Sequence, residues 1–429
     1  MIKSEYDNID ELVQDDVDEI NDYESAKEAN DLLMDALKLT DFQKSMLKGS
    51  FGYLEDMLRK QIMADIFDYL KWRGDVPFGA DPFNEVDNLV LAELAYTDFD
   101  GILSDSFRTV SLKTADERYF RTHSREEAEK SSNHLLRAPL LMDHMLSGGR
   151  FCDMKFTKYM DMINADKDMQ ISAVTYLLND DSIYVAFRGT DSTIVSWKED
   201  FNMSFLPDTE GQLSAMRYLN EVAGKFKGPI RVGGHSKGGN FAVYAAAFCE
   251  KEVQDRILRV YTNDGPGFRD EVMLREGYKR ILPRVVSIVP DTSIIGMLLT
   301  SKVDHIVVKS SEKGLDQHVS LTWQIERNRF VVTEPSRLGT LIRQSQKDWL
   351  SKIDDESREL FVNTLFSLFE ATGMATFGEM KVNKLKTAEK ILSSITKLPK
   401  ERQEEVKDIM GELIQSSTQA VRDRLSDKI

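Results

Sequence analysis

The sequence predicts an α/β fold, a mainly parallel β-sheet with helices on both faces. Three observations predict it. Short apolar, β-prone runs recur at 171–177, 182–187, 229–233, 257–261, 285–289 and 305–308. Helical patterns stand between several of them, at 212–226 and in the alanine-rich stretch 240–248. Two of the apolar runs end in glycine turns that carry a hydroxyl residue, Phe187-Arg188-Gly189-Thr190 and Gly234-His235-Ser236-Lys237-Gly238-Gly239.

The elements follow in order. The first stretch is acidic, with Asp15-Asp16-Val17-Asp18-Glu19, and reads as a solvated helix face or frayed tail. From 41 to 72, apolar residues such as Phe42, Leu47, Phe51, Leu58, Ile62 and Ile66 recur at three- and four-residue steps, a helical period. Arg73-Gly74-Asp75-Val76-Pro77 breaks it. A helix is expected over 84–96, with Val90, Leu91, Leu94 and Ala95 on one side, and further helix over 126–146. Asn179-Asp180-Asp181 is a hairpin-type turn between two strands, and 321–332 suits a closing hairpin across Asn328. Beyond Pro335 the pattern is helical, punctuated by Gly373 and Pro399. The expected division is an acidic helical region over 1–83, an α/β domain over 84–335, and a helical region over 336–429.

Charge and cysteine usage narrow the function. A formal net charge of −16 over 429 residues argues against a nucleic-acid binder, because phosphate contact needs a basic surface. Two cysteines, Cys152 and Cys249, make no disulfide framework and no CxxC metal motif. The first residues show no apolar secretory core, and no run reaches the roughly 18 apolar residues of a membrane span. A cytoplasmic protein that needs no metal or organic cofactor is the expectation. The aromatic-rich stretch 360–369 is expected to pack on the core, with a homo-oligomer face or an interfacial lipid contact as its alternatives.

The serine turn carries the chemistry. A strand, a tight glycine turn with a central serine, and then a helix form the nucleophile elbow. The sharp turn lifts the Ser236 hydroxyl above the sheet and sets it at a helix N-terminus, where amides favour developing negative charge. Side chains at Gly234 and Gly238 are expected to collide with the neighbouring strand and helix. The earlier turn at Thr190, with Trp197 and Asp200 following, suits a second donor for an oxyanion. Read alone, that turn is equally an ordinary strand end whose Arg188 makes an ion pair.

Together these residues resemble the class 3 lipases, which carry a Phe-Arg-Gly-Ser/Thr strand end, a Trp and an acid a few residues on, and Gly-His-Ser-Leu-Gly-Gly. The matching runs are 187–190, 197–200 and 234–239. The similarity extends to a bacterial branch of lipase-like α/β-hydrolases through 87–99 and 197–205. The resemblance implies an α/β-hydrolase fold, Ser236 as nucleophile, Asp291 as acid, His318 as base, and Thr190 as oxyanion-hole residue with Lys237 as the second donor. The implied activity is hydrolysis of a small-molecule or lipid carboxylic ester through an acyl-enzyme. A non-catalytic binding module on a hydrolase scaffold is the competing expectation.

The residues themselves bear on these assignments. Of six histidines, His318 alone is expected beyond a strand's C-terminal end, where catalytic groups gather in open α/β sheets. His235 is expected to pack or hydrogen-bond locally. Asp291 follows a strand end, and Asp264, in Asp-Gly-Pro-Gly, is its rival. Lys237 stands where lipases usually carry leucine, either to meet an acidic substrate group or to point to solvent. The helix near 194–197, a lid in lipases, is only modestly apolar here.

Overall fold

A computed structural model of the chain describes residues 64–366, apart from 132, 191–193, 294, 297–298, 338, 342, 345–353, 357, 360–361 and 364–365. All of these belong to the compact unit that begins at Ala64. The acidic stretch at 15–19, most of the helical pattern over 41–72, and everything past 366 lie outside the described residues.

Eight strands form one sheet in sequential order: β1 (Val110–Ser111), β2 (Lys155–Asn164), β3 (Met169–Leu177), β4 (Ile183–Phe187), β5 (Ile230–His235), β6 (Ile257–Asn263), β7 (Val285–Pro290) and β8 (His305–Val308). The first three pairings are antiparallel, and the four from β4 to β8 are parallel. The expected turn at 179–181 closes the β3–β4 hairpin. A separate small hairpin, β9 (Ile325–Glu326) with β10 (Arg329–Phe330), turns across Asn328.

Helices cover both faces, as α1 (Ile66–Arg73), α2 (Glu85–Leu94), α3 (Leu112–Tyr119), α4 (Leu141–Leu146), α5 (Ile194–Asn202), α6 (Glu210–Lys225), α7 (Lys237–Phe248) and α8 (Glu276–Ile281). The two faces follow from strand alternation. On β4, Tyr184 and Ala186 join a core with Phe67 of α1 and Leu89, Val90 and Leu94 of α2. Ile183, Val185 and Phe187 point the other way, onto Leu219 and Val222 of α6 and Phe241 and Ala245 of α7. Thus α1, which precedes residue 84, shares its core with α2. The segment expected as helix over 126–146 is broken into short turns around Pro139, whose ring cannot continue a helix. Cys249 is buried, and burial pushes its thiol up to about 12, as suits a small core residue.

Helix α2 is the element that reaches the site. Asn84 caps it, accepting from the amides of Val86 and Asp87, while Asp87 reaches back to the Asn84 amide. Its polar side chains Asp87, Asn88 and Glu93 are fully buried, so each needs a partner. Asp87 takes Arg150, Asn88 donates to the Asn263 side chain at 2.9 Å, and Glu93 accepts the Ser320 hydroxyl. The last two contacts reach the C-terminal end of β6 and the loop beyond β8.

Candidate active site

Ser236 sits between β5 and α7 with φ 57° and ψ −134°, a strained backbone for a residue with a side chain. The strain persists because its neighbours hold it. Its amide donates to Asn263 O at 2.9 Å, and its carbonyl accepts from the Gly239 amide at 2.9 Å. A Cβ at Gly238 would lie 2.0 Å from the Phe187 carbonyl oxygen, and one at Gly234 would lie 2.4 Å from the backbone of Gly238. The helix therefore starts directly against the end of β4, and both glycines are demanded by contact.

A hydroxyl, an imidazole and a carboxylate meet here. His318 closes the 3-10 turn Gly314–His318 beyond β8. Its Nε2 lies 3.0 Å from Ser236 Oγ, and its Nδ1 lies 2.6 Å from Asp264 Oδ2. The carboxylate is fully buried, and its other oxygen accepts from the Ser293 hydroxyl and from the Gly296 amide at 3.2 Å.

Asp291, the acid that the resemblance implied, is not in this chain of contacts. It accepts from Gln317 Nε2 and from Thr292 Oγ1, each at 2.9 Å. Strand register gives the reason. His235 pairs with Asn263, so Ser236 and Asp264 are the next residues on two adjacent strands. Asp291 follows β7, a further strand spacing of about 4.8 Å away. Asp264 also takes a positive φ of 49°, which turns it out of the strand as Ser236 is turned. Asp291 instead holds the neighbour of the histidine. Gln317 Oε1 also accepts the Thr292 amide at 2.9 Å, and Trp323 Nε1 donates to the Gln317 carbonyl at 2.8 Å.

The expected oxyanion residues flank Ser236. The loop after β4 passes over the serine closely enough that a Cβ at Gly189 would lie 2.9 Å from Ser236 Cβ. The next residue, Thr190, donates its hydroxyl to Asp200 Oδ2. Burial pushes the Asp200 carboxyl up to about 6, with Lys237 and the Thr190 hydroxyl pulling against that rise. Arg188 makes the structural ion pair, with Asp161 at 2.9 Å.

Lys237 opens α7, where the first amides have no partner within the helix. Its side chain corrects both expectations made for it. It reaches neither solvent nor a substrate position: it is fully buried and donates to Ser196 Oγ at 2.9 Å and Glu199 Oε2 at 3.2 Å, both on α5.

His235, expected to pack or hydrogen-bond locally, bonds instead to distant parts of the chain. Its Nε2 meets the carbonyl oxygen of His318 at 2.8 Å, and a carbonyl only accepts, so Nε2 carries the proton. Its Nδ1 then accepts from the Tyr96 hydroxyl at 2.8 Å. That hydroxyl lies against Gly189, where a Cβ would come within 2.2 Å of it, and burial holds it well above the ordinary tyrosine range. Burial, with His318 nearby, lowers His235 to about 4, so its ring is neutral. Tyr96 and His235 thus link the β4 loop, the elbow and the histidine loop. The similarity over 87–99 marked this stretch, but spacing alone held no sign of a contact 139 residues away.

Among the described residues no helix is long and apolar enough to cross a membrane, and no group of three or more His, Cys, Asp or Glu is placed to hold a metal. The sheet and its elbow turn define the class, an α/β-hydrolase-type fold. The profile of the Mbeg1-like family matches residues 145–367, which is more than half of the chain. The protein belongs to the Mbeg1-like family. Solved structures similar to it include M37 lipase, at 15% identity over 51% of this chain and 70% of that one, with a TM-score of 0.33. A Rhizomucor miehei lipase propeptide complex is 16% identical over 51% of this chain and 81% of that one, with a TM-score of 0.31. A fungal lipase–inhibitor complex is 16% identical over 48% and 83%, with a TM-score of 0.31. No curated protein sequence matches the chain.

Proposed function

We propose that this protein is a serine hydrolase acting on carboxylic esters. One observation carries the reading: Ser236 Oγ, the His318 ring and Asp264 lie in hydrogen-bonding sequence at 3.0 Å and 2.6 Å. His318 Nε2 takes the Ser236 proton as Oγ attacks the ester carbonyl. Asp264 accepts from Nδ1–H, which fixes the tautomer that leaves Nε2 free to act as base, and it stabilises the imidazolium that forms. The backbone amides of Thr190 and Lys237 hold the oxyanion of the tetrahedral intermediate. His318 then protonates the leaving alcohol, and water attacks the acyl-enzyme by the same route in reverse. Thioesters and amides pass through the same steps, so the reading names the acyl-transfer class and takes esters as its first substrate.

A fluorophosphonate probe and short p-nitrophenyl esters provide the test. The wild-type protein is expected to be labelled at Ser236 and to turn the esters over. Ser236→Ala is expected to lose both properties while it keeps a cooperative thermal transition. Equal turnover by wild type and Ser236→Ala sinks the proposal.

A further inference from the structure

Lys237 raises a physical question that the proposed reaction does not answer. An ammonium with no exposure to solvent is costly, and a leucine or methionine would fill the same space without that cost. The cost is met by full satisfaction. Nζ donates to Ser196 Oγ at 2.9 Å, to Glu199 Oε2 at 3.2 Å and to the Ser196 carbonyl at 3.4 Å. Its three protons therefore all point into α5. Glu199 is nearly as buried and equally complete, accepting the Gly211 amide at 2.9 Å and the Gln170 amide at 3.0 Å. Residue 211 has to be glycine for this to fit, since a Cβ there would lie 2.2 Å from Glu199 Oε1. The Ser196 hydroxyl completes the group by donating to Gln170 Oε1 at 2.8 Å.

The next residue of α5 does the complementary job. Asp200 accepts the hydroxyl of Thr190. Two consecutive carboxylates on one helix thus hold two residues from distant parts of the chain, and those two residues carry the oxyanion amides of the proposed mechanism.

We infer that Glu199 and Lys237 are positioning residues for the oxyanion site: their buried ion pair fastens the residue after Ser236 to α5, the same helix that holds Thr190 through Asp200. The inference rests on the serine-hydrolase reading and adds a function for α5 within it. The helix is a clamp that sets the spacing of the two amides. It is tied to the elbow by that ion pair, and an excursion of α5 as a lid would break the pair and dismantle the oxyanion site. Because the amides act on charge that develops in the transition state, a loosened clamp weakens transition-state binding more than substrate binding.

The test uses Lys237→Met and Glu199→Gln in the full chain. Lys237→Met leaves Glu199 its two backbone donors but no counter-charge, so a folded protein with a lowered Tm is expected. Three quantities are read: kcat and KM on p-nitrophenyl butyrate, and inhibition by phenylboronic acid, whose tetrahedral serine adduct places an oxygen at the oxyanion position. In both variants kcat is expected to fall about ten- to a hundredfold, with KM within about twofold and boronate affinity reduced in step with kcat. Lys237→Arg is expected to recover part of the loss. Wild-type kcat and boronate affinity in folded variants, even with a lowered Tm, overturn the inference and leave the pair a structural one. Failure of both variants to fold overturns it in the same way. A wild-type protein inert to esters and to fluorophosphonate overturns the hydrolase reading and this inference together, whereas active wild type with unaffected variants overturns this one alone.

Discussion

Asp264 and Asp291 make the sharpest contrast between two side chains of one type. The first is fully buried and touches the His318 ring, and the second touches Gln317 and Thr292. On the proposed mechanism, Asp264→Asn presents the wrong partner to Nδ1 and is expected to lower kcat/KM on p-nitrophenyl esters about 10³- to 10⁴-fold. Asp291→Asn loosens only the neighbour of the base, and a loss of about tenfold or less is expected. Similar losses in the two variants would refute the assignment. Two more residues contribute to pH dependence. Asp200 is raised to about 6 in the fold, so it binds more protons folded than unfolded, and its contribution to stability is lost as pH rises from about 4 through 6. His235 is lowered to about 4, so its contribution is present above 6.5 and lost as pH falls through 4. The two slopes oppose each other, each amounting to about 3 kcal/mol over its window. Lys237, Glu199 and His318 face Asp200, and His318, Glu93, His134 and Asp264 face His235. Urea unfolding at pH 4.5 and 6.5 measures the balance. Relative to wild type, Asp200→Asn is expected to gain about 2 kcal/mol more on going to the higher pH, and His235→Asn to move in the opposite direction.

The elbow is a junction of three elements, and its steric demands belong to their packing. Helix α7 begins against the carbonyl of Phe187, the last residue of β4, and Arg188-Gly189-Thr190 follows at once. A methyl group at residue 238 has to push that backbone away, since the contact atom is a carbonyl oxygen and not the end of a flexible side chain. Gly238→Ala is therefore expected to cost about 1–3 kcal/mol in denaturant unfolding, and to lower ester turnover further by displacing the Thr190 loop. Unchanged stability would show that the backbone yields more easily than the contact implies. The C-terminal segment also meets α5, through the edge-on contact of Phe366 with Phe201 at 5.7 Å. Val362 and Phe366 are both buried, in keeping with core packing for that part of 360–369.

At the scale of the whole molecule, a buried ion pair ties together several elements of the layer on the α2 face. Arg150, with no exposure, donates to both oxygens of Asp87, at 2.7 Å and 2.5 Å, and to the carbonyls of Val76 and Asp81 at 2.9 Å each. Tyr69 of α1 donates to the same carboxylate at 2.8 Å. One guanidinium thus joins α1, α2, the loop between them and the lead-in to β2. Arg150→Met leaves Asp87 buried with its main counter-charge removed, and a loss of about 3–5 kcal/mol is expected in thermal or denaturant unfolding. A variant as stable as wild type would mean that Asp87 is held by Tyr69 and the α2 cap alone.

Short apolar, β-prone runs, glycine turns and the strand–turn–helix around Ser236 were legible in the sequence because each is a local requirement of the backbone. Strand ends flag which residues gather at one rim, so Ser236 and His318 were named from the chain. The choice between Asp264 and Asp291 was not legible, because it depends on which strand lies next to β5 and on a register of one residue. The fate of Lys237 was hidden for the same reason: its partner is 38 residues away on a helix whose placement only packing sets. Local sequence determined which groups exist and which way their strands deliver them. Tertiary structure decided which groups touch, since a hydrogen bond needs a fit within a few tenths of an ångström that no spacing along the chain encodes.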